Sequence, residues 1–420
     1  MGGATFLAPT IEVAATSPRL DMLKARLRAL GFSPYEANDE PGPFEPLLVD
    51  LESATSPQMK SVRRQTMQEA TRPFILIGSN LPGRLDGAIK LESDADLDLL
   101  PARLSCYYRK RDTEEEAKLR EQTAEFLTGA PLAPIRSAPP RLLVIGSGSI
   151  RFLALQTVLK ENDIDVVAAF TVPTAREYLT RHDFTAVLVD ADNGDESKTD
   201  YTDLLCGPDS GPTRPIFLVR NPDADRSLRK SPLYLSATEI LEAGQSLDVL
   251  AEELTWLTFQ HGTSAPLTPD QCPDSKVADR LTGYFTRTFI EHHLDQQIRQ
   301  TRPRLQPLTY MTLTVSSKRD NDTAARRHLP MIAKALAGHL RHTDCAARLD
   351  WTTLGFSLRS TAYMGAARLS ERCSLALTEL GLPEDIAWSW RICEKRQTHS
   401  ASSLIKAAMS TPPLRTTQAA

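Results

Sequence analysis

Two short runs of this chain are apolar almost throughout and end on an aspartate: Pro46-Leu47-Leu48-Val49-Asp50 and Phe184-Thr185-Ala186-Val187-Leu188-Val189-Asp190. A strand without polar alternation has no solvent face, so it belongs inside a parallel sheet covered by helices on both sides. Each run sits in its own series. In the first, Ile11 to Thr16 reads as a strand, and Pro18 opens a helix whose Leu20, Leu23, Leu27 and Leu30 form one apolar stripe ending at Gly31. Pro73 to Gly78 and Gly87 to Lys90 complete that series. In the second, Arg141 to Ile145, a helix around Phe152 to Leu159, Asp165 to Phe170 and Pro215 to Val219 repeat the layout. Such a repeat, with a period of about one domain, predicts two doubly wound α/β sheets.

The length of 420 residues asks for two or three domains. Stretches rich in Pro, Thr and Ser mark the joints, and Thr113 to Leu127 reads as a charged amphipathic helix before the first of them. The expected division is residues 8–128 for the first domain, 129–140 for a linker, 141–261 for the second domain, 262–277 for a linker, 278–410 for the third domain, and 411–420 for a disordered tail. A net charge of -4 disfavours nucleic acid as a partner. No apolar run approaches the roughly 20 residues needed to cross a bilayer, and Met1 to Phe6 lacks the basic and apolar stretches of a secretory signal. Cys106, Cys206, Cys272, Cys345, Cys373 and Cys393 lie far apart, as expected of reduced thiols in a cytoplasm.

Both series resemble the receiver domains of two-component response regulators. The resemblance implies that functional groups sit at the carboxyl ends of the strands. It makes Asp50 the candidate phosphoacceptor, with Lys90 in the lysine place. Ala15-Thr16 stand where the magnesium-binding acids belong, and Gly78 where the hydroxyl belongs. One carboxylate supplies too few oxygens for a hard cation. In the second series Asp190 remains, but Gly146-Ser147 replace the acids and Arg220 the hydroxyl, which predicts a degenerate receiver.

From residue 279 the chain resembles a different family. Asp279-Arg280-Leu281-Thr282-Gly283-Tyr284-Phe285-Thr286-Arg287 is similar to the opening of GGDEF domains, the diguanylate cyclases, and Arg341 to Arg348 carries their Arg-x-x-Asp-x-x-x-Arg run. Their signature should follow, and Asp350-Trp351-Thr352-Thr353-Leu354 stands there instead. Ala387 to Trp390 and Ser402 to Ala408 resemble the family's late strand and closing helix. In an active cyclase two glycines let backbone meet GTP, and the acid after them joins a strand carboxylate on two metal ions. Asp350-Trp351 fill that space with side chains, and Thr352-Thr353 remove the charge. Leu308 to Ser317, the other metal-bearing strand, holds no acid; Asp320 and Asn321-Asp322 come only after it. The expectation is therefore no catalytic residue, no metal and no cyclase activity.

The same resemblance implies that Arg341 and Asp344 form a cyclic-di-GMP site, completed by Arg372, with Arg368 as a competitor one turn earlier. A guanidinium can meet guanine or phosphate through two hydrogen bonds, and a carboxylate can accept from guanine. Arg109/Asp112, Arg220/Asp223 and Arg319/Asp322 share the spacing, so the bare motif is an ordinary surface pair. Only Arg341/Asp344 stands in register with Arg348. His292-His293 reads as a solvated helix face, and Glu114-Glu115-Glu116 as a helix start.

The order receiver, receiver, degenerate GGDEF resembles the PopA-like, PleD-related family of Alphaproteobacteria. It implies an effector in cell-cycle signalling that binds cyclic-di-GMP as a regulatory ligand. It also implies a scaffold or adaptor at a cell pole that brings CtrA and an accessory adaptor to the ClpXP protease. A homodimer through the receiver faces is one expected route. The alternative is a response regulator that signals through phosphorylated Asp50 without the nucleotide.

Overall fold

The computed structural model describes residues 9–36, 45–53, 72–78, 88–91, 93–132, 139–146, 150–190, 204–207, 211–212, 214–220, 231–262, 266–318 and 322–414. Its contacts divide the chain into two compact units, one of residues 1–110 with 138–262 and the other of residues 111–137 with 263–420.

The first unit contains two parallel five-stranded sheets. Strands β1 (Thr10–Ala14), β2 (Ser33–Glu36), β3 (Leu47–Asp50), β4 (Phe74–Ile77) and β5 (Ala88–Leu91) form the first in the order β2-β1-β3-β4-β5. Strands β6 (Arg141–Ile145), β7 (Asp165–Ala169), β8 (Ala186–Asp190), β9 (Ile216–Arg220) and β10 (Glu239–Glu242) form the second in the order β10-β9-β8-β6-β7. Counted within each sheet, both run 2-1-3-4-5, a doubly wound order whose carboxyl ends carry the functional positions.

The apolar runs behave as their composition demands, with Leu47 to Asp50 and Phe74 to Ile77 buried at every position. Helix α1 (Arg19–Ala29) turns Leu20, Leu23 and Leu27 onto the first sheet, where they join Val13, Leu48, Ile75 and Ile77. It ends where Gly31 takes φ +86°, a left-handed conformation that glycine adopts without a Cβ penalty.

Helix α2 runs unbroken from Leu100 to Thr128. The charged stretch expected from Thr113 is its distal half, and the boundary between the units falls inside it, at Lys110 and Arg111. Glu114 to Glu116 thus lie mid-helix rather than at a helix start, because apolar residues from Leu100 onward extend the pattern toward the N-terminus.

The second unit is built on a mixed sheet. Strands β11 (Phe285–Thr286), β12 (Leu308–Ser317), β13 (Asp344–Arg348), β14 (Thr353–Arg359) and β15 (Ile386–Glu394) lie in the order β11-β13-β14-β12-β15. Only β11 and β13 pair in parallel; the other neighbours are antiparallel. On one face, α7 (Asp322–Ala337) and α8 (Tyr363–Glu379) pack Leu329, Ile332, Leu369 and Cys373 against Met311, Phe356 and Trp390. On the other, α6 (Arg287–Thr301) and α9 (Ala401–Ser410) bury Phe289, Leu294 and Leu404.

Helices α3 (Ile150–Glu161), α4 (Val172–Arg181) and α5 (Leu247–His261) pack against the second parallel sheet. The stretch 262–277, expected as a linker, contributes Leu267, Cys272 and Val277 to the core of the second unit, together with Ala124 of α2. Leu414 donates its N–H to Trp390 O at 2.9 Å, and residues 415–420 lie outside the described residues. Among the described residues, no helix is long and apolar enough to cross a membrane.

Candidate functional site

The Arg-x-x-Asp residues form the turn that joins α7 to β13. It is closed from both sides: Arg341 N–H donates to Asp344 Oδ2 at 2.9 Å, and Asp344 N–H donates to Arg341 O at 2.9 Å. Arg341 is exposed, and among the described residues its guanidinium makes no hydrogen bond. Asp344 is 8% exposed, and its Oδ1 is buried without a hydrogen-bond partner among the described residues. Burial pushes its carboxyl up to about 6, against the pull of the Arg341 N–H and of the charges on Arg341 and Arg120.

Arg372 of α8 reaches the same turn, donating from Nη2 to His339 O at 2.9 Å. Arg368 stands one helical turn earlier and is exposed. The structure therefore brings Arg341, Asp344 and Arg372 around one turn. Two guanidinium groups and a carboxylate with one unused oxygen can meet a ligand carrying both anionic and hydrogen-donating edges.

The turn is held from beneath by a residue that sequence reasoning missed. Arg120 of α2 donates from Nη2 to His342 O and Asp344 O, both at 2.9 Å, and from Nη1 to Leu267 O at 3.2 Å. Its Nε donates to Glu116 Oε1 at 2.7 Å. Glu116 is fully buried and also accepts from His293 Nε2 and Gln297 Nε2, each at 2.8 Å. Burial would raise the Glu116 carboxyl, but His293, Arg120 and Arg359 together hold it far below the usual carboxylate range.

His293, read from sequence as solvated, is instead fully buried and tied to Glu116. The available signal was a pair of four-residue spacings, Glu116/Arg120 and His293/Gln297, each of which puts its two side chains on one helix face. Arg359, 1% exposed, extends the network by donating to Gln300 Oε1 at 2.9 Å and pairing with Glu115.

Asp350, Trp351 and Thr352 lie in the hairpin between β13 and β14. Thr352 N–H donates to Asp350 Oδ1 at 2.9 Å, and Val315 N–H of β12 donates to Thr352 O at 2.9 Å. Trp351 is 59% exposed, with the Arg326 guanidinium 4.1 Å from its ring centroid. Leu354 is fully buried on β14, while Thr353 pairs with Thr314 of β12. Arg391 of β15 donates to Thr314 Oγ1 at 3.3 Å. Among the described residues, no cluster of His, Cys, Asp and Glu suits a metal ion. Asp320 and Asn321 lie outside the described residues.

Nearby, Arg348 Nη2 donates to Asp279 Oδ1 at 2.6 Å, and Asp279 Oδ2 accepts from Thr282 N–H and Oγ1 at 3.0 and 2.7 Å. Burial opposes ionisation of Asp279, yet these donors keep its carboxyl below the usual range. The Asp279 and Arg348 motifs thus lock the strand opening to β13.

In the first unit, Asp50 ends β3 as expected and is fully buried. Its Oδ2 accepts from Arg19 Nε at 3.2 Å and from Ser53 Oγ at 2.5 Å. Arg19 also pairs with Asp94 at 2.6 Å. Lys90 lies on β5, in register with Leu76 of β4, which is itself in register with Val49. Asp190 ends β8, where a Cβ at Gly146 would come within 2.8 Å of the Asp190 Cβ. Position 146 therefore admits no side chain unless something shifts. Ser147 lies outside the described residues.

No family model and no curated protein matches the chain. Solved structures do. The GGDEF domain of DgcB from Caulobacter crescentus in complex with c-di-GMP is 15% identical, with 33% of this chain and 85% of that chain covered at a TM-score of 0.30. The diguanylate cyclase SiaD in complex with its activator SiaC from Pseudomonas aeruginosa is 18% identical, covering 39% of this chain and 63% of that one at 0.30. The FimX GGDEF domain from Pseudomonas aeruginosa is 13% identical, covering 32% and 90% at 0.28.

Proposed function

We propose that residues 278–410 form a degenerate GGDEF domain that binds cyclic-di-GMP and does not make it. The observation that carries this reading is the Arg341–Asp344 turn, with an exposed guanidinium, a carboxylate with an unused oxygen, and Arg372 at its border. One guanidinium suits a phosphate or guanine O6 and N7, and the carboxylate suits guanine N–H groups.

The loss of catalysis rests on separate features. Phosphoryl transfer depends on metal positioning and charge neutralisation. Here β12 carries no acid, Arg391 contacts Thr314, and the Trp351 ring carries the Arg326 guanidinium where backbone would have to approach GTP. The nucleotide is then a regulatory ligand, and no catalytic cofactor is needed.

By its resemblance to PopA-type proteins, the chain would act as a scaffold that, when occupied, docks CtrA and an accessory adaptor for ClpXP at a cell pole. Calorimetric titrations of cyclic-di-GMP, GTP and cyclic-di-AMP into the full chain test the reading. Saturable heat with cyclic-di-GMP alone supports it, and preferential binding of GTP with turnover overturns it.

A second reading, a response regulator that signals through Asp50, draws on the position of that carboxylate at the end of β3. Burial weighs against it: Arg19 and Ser53 hold Oδ2, and Oδ1, which has no hydrogen bond among the described residues, is closed off from solvent.

A further inference from the structure

We infer that Arg120 is the positioning residue of the Arg341–Asp344 turn, so that nucleotide occupancy there is read by helix α2. The inference rests on the cyclic-di-GMP reading and adds its means of regulation.

A turn that binds through Arg341 and Asp344 must present them in one orientation, and its own hydrogen bonds fix only the local loop. Arg120 fixes the rest. Its one Nη2 holds the carbonyls of His342 and Asp344, the two residues inside and at the end of the motif. A guanidinium is suited to this because its donors are planar and fixed, so two carbonyls held by one nitrogen are held at a set angle.

The guanidinium is itself immobile. Its Nε is bound to Glu116, Nη1 to Leu267 O, and its face lies over the Phe285 ring at 5.6 Å. Glu116 in turn is locked by His293 and Gln297 of α6. Any movement of α2 along its axis therefore displaces the turn, or breaks a fully buried ion pair.

Helix α2 also carries Leu100 and Leu104, which belong to the core of the first parallel sheet. One continuous helix thus bears both a receiver-like core and the clamp on the nucleotide turn. Linkage requires reciprocity: if the helix position sets nucleotide affinity, the nucleotide sets the helix position by the same free energy.

The test uses the full chain and cyclic-di-GMP. Arg120→Lys keeps a cation beside Glu116, but one ammonium cannot span Glu116 and three carbonyls. The expected result is an affinity lower by about tenfold or more, within the usual range of site coupling, with wild-type circular dichroism and a lowered melting temperature. Leu404→Ala, which thins the same core without touching the clamp, is the control for a merely structural role: it should lower the melting temperature and leave affinity near wild type.

Hydrogen exchange on the wild type gives a reading independent of any variant. Cyclic-di-GMP should slow exchange in residues 116–124 as well as in 341–344. Protection confined to 341–344, or Arg120→Lys binding within about twofold of wild type, overturns the inference while leaving the receptor reading intact. Absence of binding by the wild type overturns both.

Discussion

Glu116 Oε1 and His293 Nε2 lie 2.8 Å apart, and neither side chain is exposed to solvent. They join α2 to α6 inside the second unit, and with Arg120, Gln297 and Arg359 they form a polar core under the sheet. Such a core stabilises only while complete, because removing one member strands the others without water.

Glu116→Ala should therefore destabilise the second unit by about 3–5 kcal/mol, the usual cost of an uncompensated buried charge. His293→Ala should cost less, about 1–3 kcal/mol, since it removes one donor and leaves Arg120 on the carboxylate. Denaturant unfolding followed by Trp fluorescence measures both. Equal, sub-kilocalorie effects would show that the network carries no weight.

Cyclic-di-GMP affinity should fall as pH drops below about 6. Asp344 is raised by burial, to about 6, and it faces Arg341, Arg120 and Glu116, with Cys345 and Cys373 beside it. Ligand donors need the ionised carboxylate, so binding below that pH must expel a proton, at a cost of about tenfold per unit. Titrations from pH 5 to 8 check this, and Asp344→Asn should abolish the slope. For stability the sign reverses. A raised carboxyl favours the folded state below the unfolded value, and that advantage is lost as pH rises through about 6.

Restoring the signature should not restore the enzyme. The quadruple change Asp350→Gly, Trp351→Gly, Thr352→Glu and Thr353→Glu returns glycines and acids to the hairpin, but β12 still lacks a carboxylate and Arg391 still contacts Thr314. Pyrophosphate release from GTP should stay at background. Release well above it would show that the strand was not the limiting loss.

Asp50 should resist acetyl phosphate. Its side chain is fully buried, including Oδ1, the oxygen left without a hydrogen bond among the described residues. Mass spectrometry of the treated chain should find Asp50 unmodified, and stoichiometric acyl phosphate there would favour the phosphorylation reading.

The sheets were legible because their strands are short, wholly apolar and bounded by turn residues: Leu47 to Asp50 and Ala186 to Asp190 fall where the runs place them. Arg341 and Asp344 stood out through their fixed distance from Arg348, and the two close one turn. The support beneath them was not. Glu116 and Arg120, like His293 and Gln297, are polar residues at helical spacing, and such pairs normally face water. Their burial depends on how the distal half of α2 packs against α6, a tertiary fact with no local signature. The apparent start of a helix at Thr113 hid the continuity from Leu100, since charged residues there broke the apolar pattern only on the surface of the longer helix.

The most direct measurement is calorimetric titration of cyclic-di-GMP into the wild-type chain and into Arg341→Ala. Arg341 is exposed, so the variant should fold as wild type does. The account predicts saturable heat for the wild type and its loss in the variant. No heat from the wild type, or equal binding by a folded Arg341→Ala, would contradict it.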